Sequence, residues 1–143
     1  MSNLRQKNGD DYPEAARKHL DDAEVLLNAG RYDGSGYHAG YVVECALKTL
    51  IQIDGTVLKH HDLSLLSNKV TQLATGGSPH TSRYLLNPPP AISYADPPVG
   101  WKETMRYRAA GDLNQAQAKT WFDEAKRTYK QTVQAMLKNG DIR

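Results

Sequence analysis

The chain has 143 residues, a net charge of +2 and one cysteine, and 39% of its residues are hydrophobic. This length suits one domain with a single core, and the lone Cys45, expected in that core, excludes an intramolecular disulfide. No apolar run is long enough to cross a membrane, and the first residues lack the apolar centre of a signal peptide. We therefore expect a cytoplasmic protein without a membrane partner, whose mildly basic charge does not by itself indicate nucleic acid.

The first helix follows a polar segment, residues 1–11, that we expect to be flexible. Pro13 suits the first turn of a helix because its missing N–H would be unpaired there in any case. Apolar residues then recur every three or four positions until Asn28-Ala29-Gly30 ends the pattern. These apolar positions are Ala16, Leu20, Ala23 and Leu27.

The second helix is the element around which the others must be arranged. It is expected between a turn at Asp33-Gly34-Ser35-Gly36 and a stop at Asp54-Gly55. Its apolar residues cover most of the helical circumference, which is typical of a helix inside a bundle. Glu44 and Lys48 interrupt this surface four residues apart. They form either a solvated pair on one wet strip or a site in which the carboxylate faces a cleft and is partnered from another helix.

The third helix is predicted to start at Asp62, a favourable N-cap residue, and to stop at Gly76-Gly77. His60 and His61 precede it and raise the question of a metal site. Neighbouring residues in a turn point apart, however, and no cysteine or acidic set completes a known ligand spacing. We therefore expect neither a metal nor another cofactor.

The fourth main helix comes after a segment, residues 75–100, that holds six of the seven prolines. Proline excludes a long helix there, so we expect a binding or disordered loop in which only Arg83-Tyr84-Leu85-Leu86 could form a short turn. Asp112 and Gln115 resemble a capping box for the last helix, which Gly140 ends, leaving residues 140–143 as a tail. The apolar face of this helix is Ala118, Trp121, Phe122, Ala125, Tyr129, Val133 and Met136.

These elements predict an all-α fold, an up-and-down bundle of four main helices that spans residues 12–139, with a long proline-rich loop before the last helix. Several motifs then resemble the HEPN family of small all-α domains. The likeness runs from Pro13 to about Met136 and implies a bundle that is usually a homodimer. Its motifs are Leu20-Asp21-Asp22-Ala23-Glu24-Val25-Leu26-Leu27, Gly30-Arg31-Tyr32, Tyr37-His38-Ala39, Val43-Glu44-Cys45-Ala46-Leu47-Lys48-Thr49-Leu50, His61-Asp62-Leu63 with Leu66, and Arg106-Tyr107.

The resemblance implies a function that involves RNA or nucleotides. Many HEPN proteins are metal-independent RNases of toxin–antitoxin and phage-defence systems with an Arg-x4-6-His motif near the final helices. Others accompany minimal nucleotidyltransferases. In this chain no histidine follows Arg106 or Arg108, because His80 is the last one, and the spaced match Arg31-x6-His38 lies at the first interhelical turn. We expect a nucleotide- or RNA-binding protein with at best atypical RNase activity, and a toxin–antitoxin or nucleotidyltransferase partner.

Candidate site residues follow from the chemistry of metal-free RNA cleavage, which needs a base for the 2′-hydroxyl and a cation for the phosphate. The candidate bases are His38 and Glu44 of the second helix. The candidate nucleotide- and phosphate-binding residues are Lys48, Arg106, Tyr107 and Arg108.

Arg106 and Arg108 would share one side only in extended backbone, which the nearby prolines permit. Arg106 is also our preferred partner for Glu44, ahead of Lys48, because a guanidinium can hold a carboxylate and still bind phosphate. The same arginines could instead be a solvated junction. The chain would then be a non-catalytic dimeric interaction module, which is the alternative function.

Overall fold

Four long helical segments form the bundle, and the second of them is central. The computed structural model describes residues 1–94 and 100–143, and no strand occurs within these ranges. A π-helical turn, Lys130–Gln134, joins the last two helices into one continuous segment, and 3-10 turns lie at Ala91–Tyr94 and Glu103–Tyr107. The helices are α1 (Tyr12–Asn28), α2 (Tyr32–Ile53), α3 (Leu63–Thr75), the short α4 (Pro79–Arg83), α5 (Gln115–Tyr129) and α6 (Ala135–Asn139). The predicted all-α bundle is confirmed.

Helix α2 contacts α1, α3 and α5, and it supplies much of the core. Every residue from 42 to 51 is buried, which the apolar circumference predicted for the apolar positions. Burying each large apolar side chain stabilises the fold by about 1.5–3 kcal/mol. Cys45 is one of these core residues, and desolvation raises the pKa of its thiol to about 12. None of the helices in the described ranges has the length and apolarity that a membrane span needs.

The start of α2 differs from the prediction, because residues 33–36 are helical and do not form a turn. The glycines are explained by close packing. A Cβ on Gly36 would lie 2.2 Å from a methyl carbon of Leu113, and one on Gly40 would lie 1.9 Å from the indole nitrogen of Trp101. Glycine is therefore needed where α2 approaches the chain between α4 and α5, and not for a bend.

Helix caps fix the starts of α3 and α5. The predicted N-cap Asp62 is confirmed, since its carboxylate accepts a backbone N–H of the first turn of α3 at 3.1 Å. The predicted capping box at Asp112 and Gln115 is wrong. The box is formed by Asn114 and Gln117, each of whose side chains accepts the backbone N–H of the other. Asp112 instead lies 3.8 Å from Arg108.

The proline-rich segment contains more structure than one short turn. Helix α4 ends where the predicted turn at Arg83-Tyr84-Leu85-Leu86 begins. Tyr84, Leu86 and Ile92 are buried in the core. These apolar side chains anchor the segment between its prolines. The rest of the predicted loop, residues 95–99, lies outside the described residues.

Both termini of the described chain make defined contacts, although flexibility was expected for residues 1–11. The backbone N–H of Asn3 donates to the carbonyl of Arg143 at 2.8 Å. The N–H of Arg143 in turn donates to the side-chain oxygen of Asn3, also at 2.8 Å. Ser2 is buried and donates to the carboxylate of Asp11 through its N–H and its hydroxyl. Polar residues of the N-terminal segment thus form hydrogen bonds with residues nearby in the chain and with Arg143.

Candidate functional site

Glu44 and Lys48 form a buried ion pair on α2. The ammonium of Lys48 donates to Oε1 of Glu44 at 2.7 Å, and the two side chains are only 5% and 4% exposed. With its proton on Nδ1, His61 donates to the same oxygen at 2.9 Å. The interpretation as a solvated strip is therefore wrong. The alternative interpretation expected a partner from another helix; the partner from outside α2 is instead His61, in the link that precedes α3.

Arg106 was our preferred partner for Glu44, and this preference is wrong. Lys48 is the cation that pairs with the carboxylate. Its ammonium also lies 5.4 Å from the centre of the Tyr12 ring, in a cation–π arrangement. A pair taken out of water needs such additional contacts, because the attraction between the charges alone barely offsets their desolvation.

The second oxygen of Glu44 is one of four buried side-chain N or O atoms that have no hydrogen-bond partner among the described residues. Oε2 is buried, and among the side chains and backbone groups that the structure describes none donates a hydrogen bond to it. Oε1, in contrast, accepts from both Lys48 and His61. A buried acceptor without a donor costs about 1–3 kcal/mol. The site therefore lacks one hydrogen-bond donor, which would pair with Oε2 of Glu44.

Glu44 lines a cleft of about 600 Å³ between α1, α2 and residues 59–61. We call it the Glu44 cleft; it is also lined by Tyr12, Lys18, His19, Tyr41, Lys48, Lys59 and His61. A second depression of about 520 Å³ shares Lys59 and His61 with it and extends to Trp101 and Lys102. The two depressions adjoin at His61, so together they offer an elongated surface.

His38 lies beside the Glu44 cleft and has a partner that the sequence analysis missed. Its Nδ1 is 2.9 Å from Nδ1 of His19 on α1. Desolvation, followed by the charges of His38 and Lys18, lowers the pKa of His19 to about 4. Burial also lowers the pKa of His38. Both rings are therefore neutral near pH 7 and share an N–H···N hydrogen bond.

The sequence did contain a signal for His19. It lies three residues after Ala16 and four before Ala23, which places it on the inward face of α1. A histidine at that position has to meet a side chain of the neighbouring helix. His38 and Glu44, the two predicted bases, make no contact that joins them, because each is engaged with a different partner.

An aromatic group connects the histidine pair to the chain before α5. The hydroxyl of Tyr37 donates to that of Tyr41 at 3.2 Å. The ring of Tyr41 stacks on His19 and meets the indole of Trp101 edge-on, both at 5.1 Å between centres. The indole N–H of Trp101 donates to the carbonyl of Tyr37 at 2.9 Å. Burial and the hydrogen bond with Tyr37 raise the pKa of Tyr41 far above its ordinary value.

Arg106 and Arg108 do not form the expected clamp. Glu103–Tyr107 is a 3-10 turn and not extended backbone, because hydrogen bonds between residues three apart close the chain there. The guanidinium of Arg106 lies 4.9 Å from the centre of the Tyr107 ring. Hydrogen bonding to Tyr107 and then to Tyr37 raises the pKa of Arg106. Arg108 lines a separate depression near Gly111, away from Glu44.

The family model for the HEPN domain matches residues 10–138. The chain belongs to the HEPN family. The matched region contains all six helices except the last residue of α6, and it includes every predicted site residue. Comparison with curated proteins and comparison with solved structures find no match.

In this HEPN domain the predicted site residues fall in three places. Glu44 and Lys48 lie in the Glu44 cleft. His38 lies at its edge, against His19. Arg106 and Tyr107 lie in the 3-10 turn before α5 and Arg108 directly follows it, and Arg106 is hydrogen-bonded to Tyr37 of α2.

Proposed function

We propose that this HEPN domain binds a nucleotide or a single-stranded RNA segment in the Glu44 cleft. The observation that carries the proposal is the buried Oε2 of Glu44, which lacks a donor among the described residues. A ribose hydroxyl or a base amino group would supply that donor and relieve the cost of the unpaired oxygen. A phosphate group is negatively charged and is repelled by the Glu44 carboxylate, so the carboxylate favours the nucleoside part of the ligand.

The rim of the cleft can bind the phosphates. Lys18 and Lys59 line the Glu44 cleft, and Lys102 lines the adjoining depression. Lys59 already lies 3.2 Å from Asp10 on the surface. Such exposed pairs are weak and exchange readily for a phosphate. The two depressions adjoin at His61, and this continuity supports a strand of RNA as the ligand.

Stacking on Tyr107 would extend this interface. Its ring is 75% exposed and has the Arg106 guanidinium near it. Base stacking on an exposed aromatic ring contributes about 1–3 kcal/mol and tolerates any base. We propose that Arg106 acts with Tyr107 at this position and that Arg108 lies outside the interface.

Any cleavage of the bound RNA would be atypical for the family, because no histidine follows Arg106. His38 would be the base in the tautomer in which its Nδ1 donates to His19, because its Nε2 then stays unprotonated. The family resemblance also supports a homodimer and a toxin–antitoxin or nucleotidyltransferase partner in the cytoplasm. Light scattering should then give about twice the 15.9 kDa mass of the chain.

Fluorescence anisotropy with labelled single-stranded RNA, and competition by ATP, test the binding proposal. In Glu44→Gln the amide oxygen still accepts hydrogen bonds from Lys48 and His61. The amide NH₂ therefore takes the position of Oε2, where it places a second donor against the donor of the ligand. We expect binding to weaken by at least about tenfold, or about 1.4 kcal/mol. The control is Glu24→Gln, at an exposed glutamate of α1, which should bind like the wild type.

A comparison of RNA with DNA identifies which group of the ligand donates to Glu44. If a ribose hydroxyl meets Glu44, DNA of the same sequence should bind more weakly than RNA, whereas a base amino group would make the two equal. Wild-type protein that binds neither RNA nor ATP would contradict the proposal. That result would favour the alternative, a non-catalytic dimeric interaction module, which is supported by the separation of Arg106 from Arg108.

A further inference from the structure

Three side chains with metal-binding atoms converge across the interface between α1 and α2. His19 and Asp22 are one helical turn apart on α1, so they share a face, and His38 faces them from α2. Their ligand atoms all lie within 4.8 Å of one another. Two rigid helices therefore bring together a set of two imidazoles and one carboxylate.

The distances are close to those that a transition metal needs. Zn²⁺ binds histidine nitrogen and carboxylate oxygen at about 2.0–2.2 Å, so ligands around one tetrahedral ion lie roughly 3.3–3.6 Å apart. The two Nδ1 atoms, at 2.9 Å, would have to separate slightly, and the most distant ligand pair would have to close. We expect both changes to come from side-chain rotations, with the backbone of α1 and α2 in place.

Neighbouring rings orient the two histidines. Tyr41 stacks on His19 with an interplanar angle of 22°, and Tyr37 meets the His38 ring edge-on at 77°. Such contacts limit the rotation of each imidazole and reduce the entropy lost when a ligand binds. The pair is thus held near one arrangement before any ion arrives.

We propose that His19, Asp22 and His38 form a binding site for a divalent transition-metal ion, with Zn²⁺ as the best-suited ion and water completing its coordination. Two imidazoles select zinc and its neighbours in the first transition series over magnesium and calcium, which prefer oxygen ligands. Three protein ligands leave one tetrahedral position open, and His19 lines the Glu44 cleft. The water on the ion would therefore face the cleft.

The local charges predict a moderate affinity. The carboxylate of Asp22 favours the ion, whereas the ammonium of Lys18, whose charge acts on both rings, opposes it. We therefore expect dissociation constants of about micromolar order, weaker than those of four-ligand structural zinc sites. The proposal does not depend on RNA binding.

Calorimetric titration of the chelator-treated full chain with Zn²⁺ near neutral pH tests the site. We expect one ion per chain, and an affinity at least about tenfold lower in His38→Gln and in Asp22→Asn. The matched control is His60→Gln, at an exposed histidine outside the cluster, and it should bind like the wild type. Asp22→Asn keeps both rings and their stacking, so it decides the question if His38→Gln fails to fold.

Co²⁺ gives an independent spectroscopic test. Bound by nitrogen and oxygen, it should show visible d–d bands without the strong near-ultraviolet bands of a thiolate ligand, because the buried Cys45 is not in the cluster. No stoichiometric binding by the wild type, binding that survives both substitutions, or thiolate bands in the Co²⁺ spectrum would each overturn the proposal.

Discussion

Gly40 of α2 lies against the indole of Trp101, and the contact leaves no room for a Cβ, which would sit 1.9 Å from the indole nitrogen. We predict that Gly40→Ala destabilises the protein by about 1–3 kcal/mol, the usual cost of overpacking, even though alanine favours helices. Urea unfolding measures the change.

The matched control for Gly40→Ala is Gly34→Ala, in the first turn of the same helix. A Cβ there would lie 3.2 Å from a methyl carbon of Leu26, at the end of a flexible side chain that can move. We expect this change to be neutral or to stabilise by up to about 1 kcal/mol. Equal losses at the two glycines would contradict the special role of the Trp101 contact.

Removing the ammonium of Lys48 should be costly. In Lys48→Met the Glu44 carboxylate keeps only His61 as a partner while it remains buried, and we expect a loss of about 3–5 kcal/mol. Adding Glu44→Gln to this variant should recover part of the loss, because the pair is then uncharged. Chemical unfolding of the single and double variants gives the coupling energy.

The exposed pair Lys119–Asp123 is the control. Like Glu44 and Lys48, these residues are four positions apart, and their N···O distance is 2.6 Å. Lys119→Met should cost less than about 1 kcal/mol, because exposed ion pairs contribute little. A similar cost at Lys48 and Lys119 would show that the burial of the Glu44–Lys48 pair has no energetic consequence.

The hydrogen bonds of Asp54 lead us to predict that the stability of the folded protein depends on pH. Burial alone would raise the pKa of its carboxyl, but hydrogen bonds from Thr81 and His80 outweigh burial and lower this pKa below its ordinary value of 3.8. A carboxyl with a lowered folded-state pKa adds stability above its unfolded-state pKa, and this stability is lost as the pH falls through the folded-state value. Below about pH 4, the free energy of unfolding should therefore decrease as the pH decreases.

Asp54→Asn should make the fall below about pH 4 less steep and should lower stability at neutral pH by about 1–2 kcal/mol, because the charged acceptor of the α4 N–H groups is gone. Asp123→Asn, at an exposed aspartate, should leave the neutral-pH stability nearly unchanged. If wild type and Asp54→Asn lose stability in parallel below pH 4, the lowered pKa of Asp54 is not the cause.

Hydrogen exchange distinguishes a flexible N-terminus from an anchored one. Because the amides of Asn3 and Arg143 both donate hydrogen bonds, we expect them to exchange more slowly than unstructured amides. Asn3→Ala removes the acceptor of the Arg143 amide and should speed its exchange. Asn8→Ala, at an exposed residue, should not. Exchange of both wild-type amides at the unstructured rate would support the flexibility that the sequence predicts.

The main helices could be predicted because their signals are local. Apolar periodicity identified the buried surface of α2, and the side chain of Asp62 identified the start of α3. The capping box was misplaced by two residues, because Asp112 and Asn114 are both good caps and only the fold decides between them. Gly36 was misread for the same kind of reason, since a glycine required by packing looks like a glycine required by a turn.

The candidate site could be predicted only in part, because its partners come from distant positions. The sequence identified Glu44 as unusual and offered Lys48 as a partner. It could not show that His61 would reach the carboxylate from the link before α3, since no local pattern specifies contacts between helices. For the same reason, the contact between His19 and His38 could not be predicted from the sequence.

The position of Trp101 gives the protein an optical reporter of its own. The indole meets Tyr41 edge-on and lines the depression that adjoins His61, so its fluorescence should change when a ligand enters there. The second tryptophan, Trp121, is buried against Gly36. In a Trp121→Phe variant all indole emission would come from Trp101, and ligands could be screened in solution without any label.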